Sequence, residues 1–280
     1  MPRIRGRLAA LAALAITLGL TAVAALALVR VGVEWRLRSL PEVPDAVRVP
    51  PYGDAAEGAR LGAVLGCSGC HNDDLGGNGS CYEQAGRFRL VCPNVTEALE
   101  RYDDRELVTL LRYGRKRNGA MVDFMPWDMY QHLSERDLGH LLAYVRSVPV
   151  VSNDLPASWY SWRVRWEMLV GEYPWINDLA DYDATPLDGA AARGRYLAQI
   201  ACPECHAPDL RGYPGDDAPN LLIAKAYSDA AFARLMRDGI TLAGTESTTG
   251  LMSAVARKRF RHLRPDEVAD LKAYLDLRAP

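Results

Sequence analysis

The chain has 280 residues, of which 33 are basic and 35 acidic, for a formal net charge of −2. That balance points to no nucleic-acid partner, and no phosphate loop, Ser-His-Asp pattern or paired carboxylates stands out from the sequence. The first element is apolar: residues 8–29 carry no charged side chain. As a helix they would extend about 33 Å, against a hydrocarbon core of about 30 Å. The spacing predicts an uncleaved membrane anchor within 1–44. A cleaved signal peptide is the rival reading, because Ala22-Val23-Ala24 and Ala25-Leu26-Ala27 resemble small-residue cleavage sites, although the apolar region of a signal peptide is usually shorter. Arg3, Arg5 and Arg7 precede the segment while Arg30, Arg36 and Arg38 follow it, so counting basic residues does not orient it. Trp35 suits a membrane interface, and the Pro-rich stretch from Leu40 to Pro44 reads as a stiff tether.

Two pentapeptides carry the chemistry: Cys67-Ser68-Gly69-Cys70-His71 and Cys202-Pro203-Glu204-Cys205-His206. Each is C-x-x-C-H, the attachment sequence for a c-type haem. On a helix, thiols at i and i+3 and an imidazole at i+4 share one face, so the cysteines can form thioethers while the histidine bonds the iron. A redox dithiol leaves the following histidine unexplained, and a zinc site needs further Cys or His at ligand spacing. The expectation is two covalently bound haem c groups.

The motif is duplicated with its surroundings. Setting Cys67 on Cys202 aligns Arg60 with Arg195, Asp74-Leu75 with Asp209-Leu210, and Gly77 with Gly212. Pro93-Asn94 then answers Pro219-Asn220, and Tyr144 answers Tyr274. The reading is an all-α chain of two tandem helical domains, 45–150 and 187–280, after the 1–44 anchor and tether. Asp54 with Glu57, Asp103 with Glu106, and Ser134 with Asp137 mark helix starts. Ser228, Gly239 and Pro265 punctuate the second unit. About a hundred residues is small for an apolar core alone, so a buried porphyrin is expected to complete each module. Between the units, residues 151–186 form a Trp-rich linker. Its Trp159, Trp162, Trp166 and Leu169 fall on a helical stripe, expected to pack between the modules or to dock a partner; Trp175 lies further on.

A six-coordinate haem needs a second axial ligand, and a methionine thioether raises the potential relative to a second imidazole. In the second unit Met252 is chosen, because Met236 falls inside a predicted helix while Met252 is expected in a loop. In the first unit Met125 is favoured, on the irregular segment before Pro126 and Trp127, with Met121 in reserve. Met129, Met168 and Met236 read as core residues. His132, His140 and His262 read as surface or supporting groups. The Pro93 and Pro219 carbonyls are candidates to fix the His71 and His206 tautomers. Cys81 and Cys92 lie in an insertion of nine residues that the second unit lacks. A disulfide between them is the simplest account and calls for an oxidising compartment.

These motifs, together with Pro93-Asn94-Val95-Thr96, Met125-Pro126-Trp127 and the closing helices around Tyr144 and Tyr274, carry a resemblance. The chain resembles the membrane-anchored multi-haem cytochrome c subunits of bacterial periplasmic alcohol and sugar dehydrogenases, built from class I cytochrome c modules. Such subunits commonly carry three haem modules and a carboxyl-terminal membrane segment, whereas this chain shows two modules and an amino-terminal one. The resemblance implies a non-enzymatic carrier in the bacterial cytoplasmic membrane, its haem domains in the periplasm. It would pass single electrons from a donor such as a dehydrogenase to a respiratory acceptor. A cytochrome c subunit of a terminal oxidase remains open, as does a di-haem enzyme of peroxidase or thiosulfate dehydrogenase type.

Overall fold

The computed structural model describes the backbone of residues 2–38, 43–122, 124–172 and 185–278, and within the first helix the side chains of 11–35. That helix, α1 (Pro2–Arg38), contains an apolar stretch, Leu11–Trp35, long enough to cross a membrane and equally fit to be a signal sequence.

The next helix, α2 (Ala55–Leu65), begins where the Asp54 carboxylate accepts the Glu57 N–H and stops at Gly66, which is left-handed at φ 87°. A short turn of helix, α3 (Cys67–His71), follows directly. After the strands β1 (Asn78–Gln84) and β2 (Phe88–Cys92) come α4 (Val95–Leu99), α5 (Asp104–Tyr113), α6 (Trp127–Tyr130) and α7 (Glu135–Ser147). Asp103 and Glu106 close a capping box on α5, and Ser134 caps α7 through the Asp137 N–H. The linker supplies β3 (Trp159–Tyr160) and α8 (Trp162–Val170). The second half is built from α9 (Gly189–Ala201), α10 (Pro203–His206), a 3-10 turn at Leu221–Ala226, α11 (Asp229–Asp238), α12 (Leu251–Lys258) and α13 (Pro265–Leu277).

Helices α2 and α7 pack closely in the first half, and α9 and α13 do the same in the second. A glycine makes each crossing possible. A Cβ on Gly58 would strike the His140 carbonyl oxygen and come within 2.7 Å of the Tyr144 Cβ; one on Gly194 would strike the Asp270 carbonyl and come within 2.8 Å of the Tyr274 Cβ. The packing therefore equates Gly58 with Gly194, and so Arg60 with Tyr196, one position away from the match that the cysteines suggest. The extra residue is Gly66, which ends α2 before Cys67, whereas α9 runs on to Ala201 beside Cys202.

The fold is mostly helical but not all-α. The Cys81–Cys92 insertion forms an antiparallel hairpin, extended by β3 in the order β1-β2-β3, and Cys81 and Cys92 are joined by a disulfide. Strand β2 has a readable period of two, with Phe88, Leu90 and Cys92 buried and Arg89 exposed, whereas β1 is too solvent-exposed to alternate.

The stripe of tryptophans also departs from expectation. Trp159 lies on a strand, and Trp159, Trp162 and Trp166 are about half exposed, at 49, 49 and 54 %; Trp175 lies outside the described residues. Helix α8 buries Val164 and Met168 instead. They join Val33, Phe88 and Leu90 in a small cluster that ties the sheet to the end of α1. The main core is continuous through both halves, from Leu61 and Leu142 to Ile200 and Leu275.

Candidate functional site

Cys67–His71 forms the short helix α3, and in the second half α10 spans Pro203–His206 with Cys202 as its N-cap, so each motif carries its two cysteines and its histidine within about one helical turn. The backbone that follows them repeats in conformation. Asn72, Leu75 and Gly77 have positive φ, at 63, 57 and 86°, as do Ala207, Leu210 and Gly212, at 59, 59 and 89°. Four of these are not glycine, and holding such residues in sparsely populated positive-φ backbone costs of order 1–3 kcal/mol each. The turn holds because its hydrogen bonds repeat too. Gly77 N–H donates to the His71 carbonyl at 2.9 Å and Gly212 N–H to that of His206 at 2.8 Å; Val95 and Leu221 N–H donate to Leu75 and Leu210, both at 2.9 Å. The Asp74 and Asp209 carboxylates brace it, accepting the Gly76 and Arg211 N–H groups at 2.8 and 2.9 Å.

This loop sets the histidine. His71 Nδ1 lies 2.8 Å from the Pro93 carbonyl, and His206 Nδ1 lies 2.9 Å from that of Pro219. A carbonyl only accepts, so Nδ1 carries the proton and Nε2 presents its lone pair. Burial pushes both imidazoles below their ordinary value, partly offset by the proline carbonyls, which keeps them neutral near pH 7. Burial likewise pushes the Cys67 thiol up to about 11 and the Cys202 thiol up to about 12, and raises Cys70 and Cys205. Among the described residues no group of three or more His, Cys, Asp or Glu converges as a metal site.

A cavity of about 2270 Å³ brings Cys202, Cys205, His206 and Met252 together, and reaches across to Cys70 and Met125 of the first half. Cys67 and His71 do not line it. Met252 sits in the first turn of α12 rather than in a loop: Gly250, left-handed at φ 74°, starts that helix two residues earlier. Met125 lies just before α6, and Met121 is packed in the interior against Gly114. Met129 and Met168 are core residues, while Met236 is both buried and on the cavity wall. An imidazole Nε2 with its lone pair presented, two thiols, a thioether on the same cavity and a volume larger than an ordinary ligand pocket fit a haem c in the second half. The first half repeats the thiols, the tautomer and the methionine.

The remaining histidines separate. His262 is exposed. His132 is half-buried and held below its ordinary pKa by burial. His140 is buried, not superficial: its Nδ1 accepts the Asp54 N–H at 2.6 Å and so joins α7 to the start of α2.

Arg259 was not visible as a functional residue in the sequence. Its side chain is 13 % exposed and lies between the two attachment motifs. It donates to the Val64 and Leu65 carbonyls at the end of α2, at 3.1 and 3.0 Å, and pairs with Glu204, between Cys202 and Cys205, at 2.6 Å. One buried cation thus faces both pentapeptides.

No family model matches the chain. Over 175 residues, 55 % of the chain, it is 26 % identical to the fructose dehydrogenase cytochrome subunit of Gluconobacter japonicus. That stretch covers 34 % of the relative, so the chain spans about a third of its length.

Proposed function

We propose that the chain is a di-haem c-type cytochrome that carries electrons one at a time, with 45–150 and 187–280 as two tandem class I cytochrome c domains. The observation that carries this reading is the pair of C-x-x-C-H helical turns, each with its histidine Nδ1 engaged by a proline carbonyl so that Nε2 is left to bind iron. The likeness to a dehydrogenase cytochrome subunit supports the same chemistry and favours a dehydrogenase as donor. The chain would act from the outer face of the bacterial cytoplasmic membrane, with α1 as its anchor and the disulfide in an oxidising compartment.

Cys67 and Cys70 would hold the first haem covalently, and Cys202 and Cys205 the second. Haem c bound at these places supplies a reversible one-electron change at iron. His71 with Met125, and His206 with Met252, would hold the iron of each haem through an imidazole and a thioether, a donor set that would favour a high potential. The two proline carbonyls would fix the imidazole orientation.

The test is a pair of ligand variants. Met125→Ala and Met252→Ala should each remove about half of the charge-transfer absorbance of ferric methionine-ligated haem, and each should lower the potential of one of two one-electron waves. Bands unchanged by either substitution, or peroxide turnover by the unaltered chain, would overturn the carrier reading.

A further inference from the structure

We infer that α8 and β3 form a membrane-interface foot, in which Trp159, Trp162 and Trp166 rest in the lipid headgroup region beside the exit of α1. The inference rests on the reading of α1 as a span. It goes beyond that reading, because an anchor alone leaves the rest of the molecule free to tumble above the bilayer.

The height of α8 follows from where it packs. Residues 11–29 of α1 carry no charge, about 28 Å of helix against a hydrocarbon core of about 30 Å. Arg30 and Glu34, one turn apart, therefore mark the exit from the hydrocarbon. Helix α8 meets α1 at that level. Val33 is buried, at 3 %, in the cluster with Val164 and Met168. A Cβ on Gly32 would come within 2.6 Å of Leu169 Cδ1, so glycine lets the two helices approach closely. Helix α8 is thus held within a turn or so of the hydrocarbon edge, where the headgroups lie.

Its outer face has the chemistry of that zone. Trp159, Trp162, Trp166 and Val170 are exposed, at 49, 49, 54 and 43 %, and Trp35 at the end of the span is 71 % exposed. Tryptophan prefers the headgroup level, where its ring is apolar and its N–H can still find an acceptor. The charges on the face are basic. The Arg165 guanidinium lies over the Tyr160 and Trp162 rings, 5.8 and 5.9 Å from their centroids, and Arg163 is exposed. The single acid of the helix, Glu167, is turned inward and paired with Arg87 and Arg163 at 2.7 and 2.9 Å. An aromatic face rimmed by arginine, continuous with a membrane span, fits a bilayer containing anionic lipid.

The foot would also orient the cavity. Arg87, Phe88, Arg163 and Glu167 lie on the cavity wall, so seating α8 on lipid would hold the proposed haem sites at a fixed height above the membrane.

The experiment places a photoreactive benzoylphenylalanine at position 162, 166, 18 or 254 of the full chain, in vesicles of phosphatidylethanolamine and phosphatidylglycerol. Illumination is followed by mass spectrometry of the labelled peptide. The proposal expects a mass increase of one phospholipid at 162 and at 166, as well as at 18 within the span, and none at 254 on α12. Lipid adducts at 18 with none at 162 or 166 would overturn the foot while leaving the span intact. Adducts to protein at 162 or 166 would assign the face to a partner and overturn it too. No adduct at 18 would reject the span itself, and the foot with it.

Discussion

At the scale of single residues, Arg259 makes the sharpest claim. Its guanidinium joins the end of α2, just before Cys67, to Glu204 of the second pentapeptide, and its loss would leave the Val64 and Leu65 carbonyls without that donor. Arg259→Met is expected to cost about 1–3 kcal/mol in denaturant unfolding, and to lower both haem potentials, because a buried positive charge favours the reduced, less positive site. Arg259→Lys should keep most of the potential while losing part of the stability, since lysine has the charge but not the fork of donors. A stability loss with unchanged potentials would reduce Arg259 to a structural clamp. The residue was illegible in the sequence because its α2 partners lie 195 and 194 positions away. The pentapeptides were legible because all their geometry fits in one turn of helix. The left-handed turns after them were half-legible: Asp74-Leu75 and Asp209-Leu210 repeat as letters, but nothing in a leucine announces a positive φ.

At the scale of elements, the helix crossings and the hairpin can be tested separately. Gly194→Ala would press a methyl into the Asp270 carbonyl, and overpacking of this kind costs about 1–3 kcal/mol, with more where backbone must move. A thermal melt of the variant should fall by several degrees, on the order of 4 °C per kcal/mol for a domain of this size; an unchanged melt would mean that α9 and α13 do not cross at that glycine. For the hairpin, the Cys81→Ser and Cys92→Ser double substitution is expected to cost about 3 kcal/mol in the chain-entropy model. Reductant should reproduce that loss in the unaltered chain and leave the variant unaffected. Helix starts were readable here because Asp54, Asp103, Ser134 and Ser228 act on N–H groups three residues away. The sheet was missed because only β2 alternates, and β3 is two residues long and defined by a partner strand far along the chain.

At the scale of the molecule, the halves meet through reciprocal contacts, the pattern of an isologous interface. Arg60 on α2 binds Glu267 in the first turn of α13, at 2.7 Å, while Tyr196 on α9 donates to Asp137 in the first turn of α7. Arg264 adds a bond to Glu57 at 2.6 Å. The duplicated sequence suggested two units but not this arrangement, since the paired residues differ in type. The Arg60 hydrogen bond holds the Glu57 carboxyl below the usual carboxylate range. A depressed carboxyl stabilises the fold above its unfolded value of about 4.3, and that contribution is lost as pH falls through the folded value. Arg60→Met should therefore flatten the acid side of the stability profile relative to the unaltered chain; equal profiles would show that the Arg60–Glu57 pair does not couple to folding.

Whether one chain carries two haems is read from the intact mass of the protein purified from membranes. The expected mass is increased by two haem c groups, with Cys67, Cys70, Cys202 and Cys205 all closed to alkylation, and by one haem fewer after Cys202→Ala with Cys205→Ala. A chain with no added mass and four alkylated thiols, or with a single haem, would contradict it.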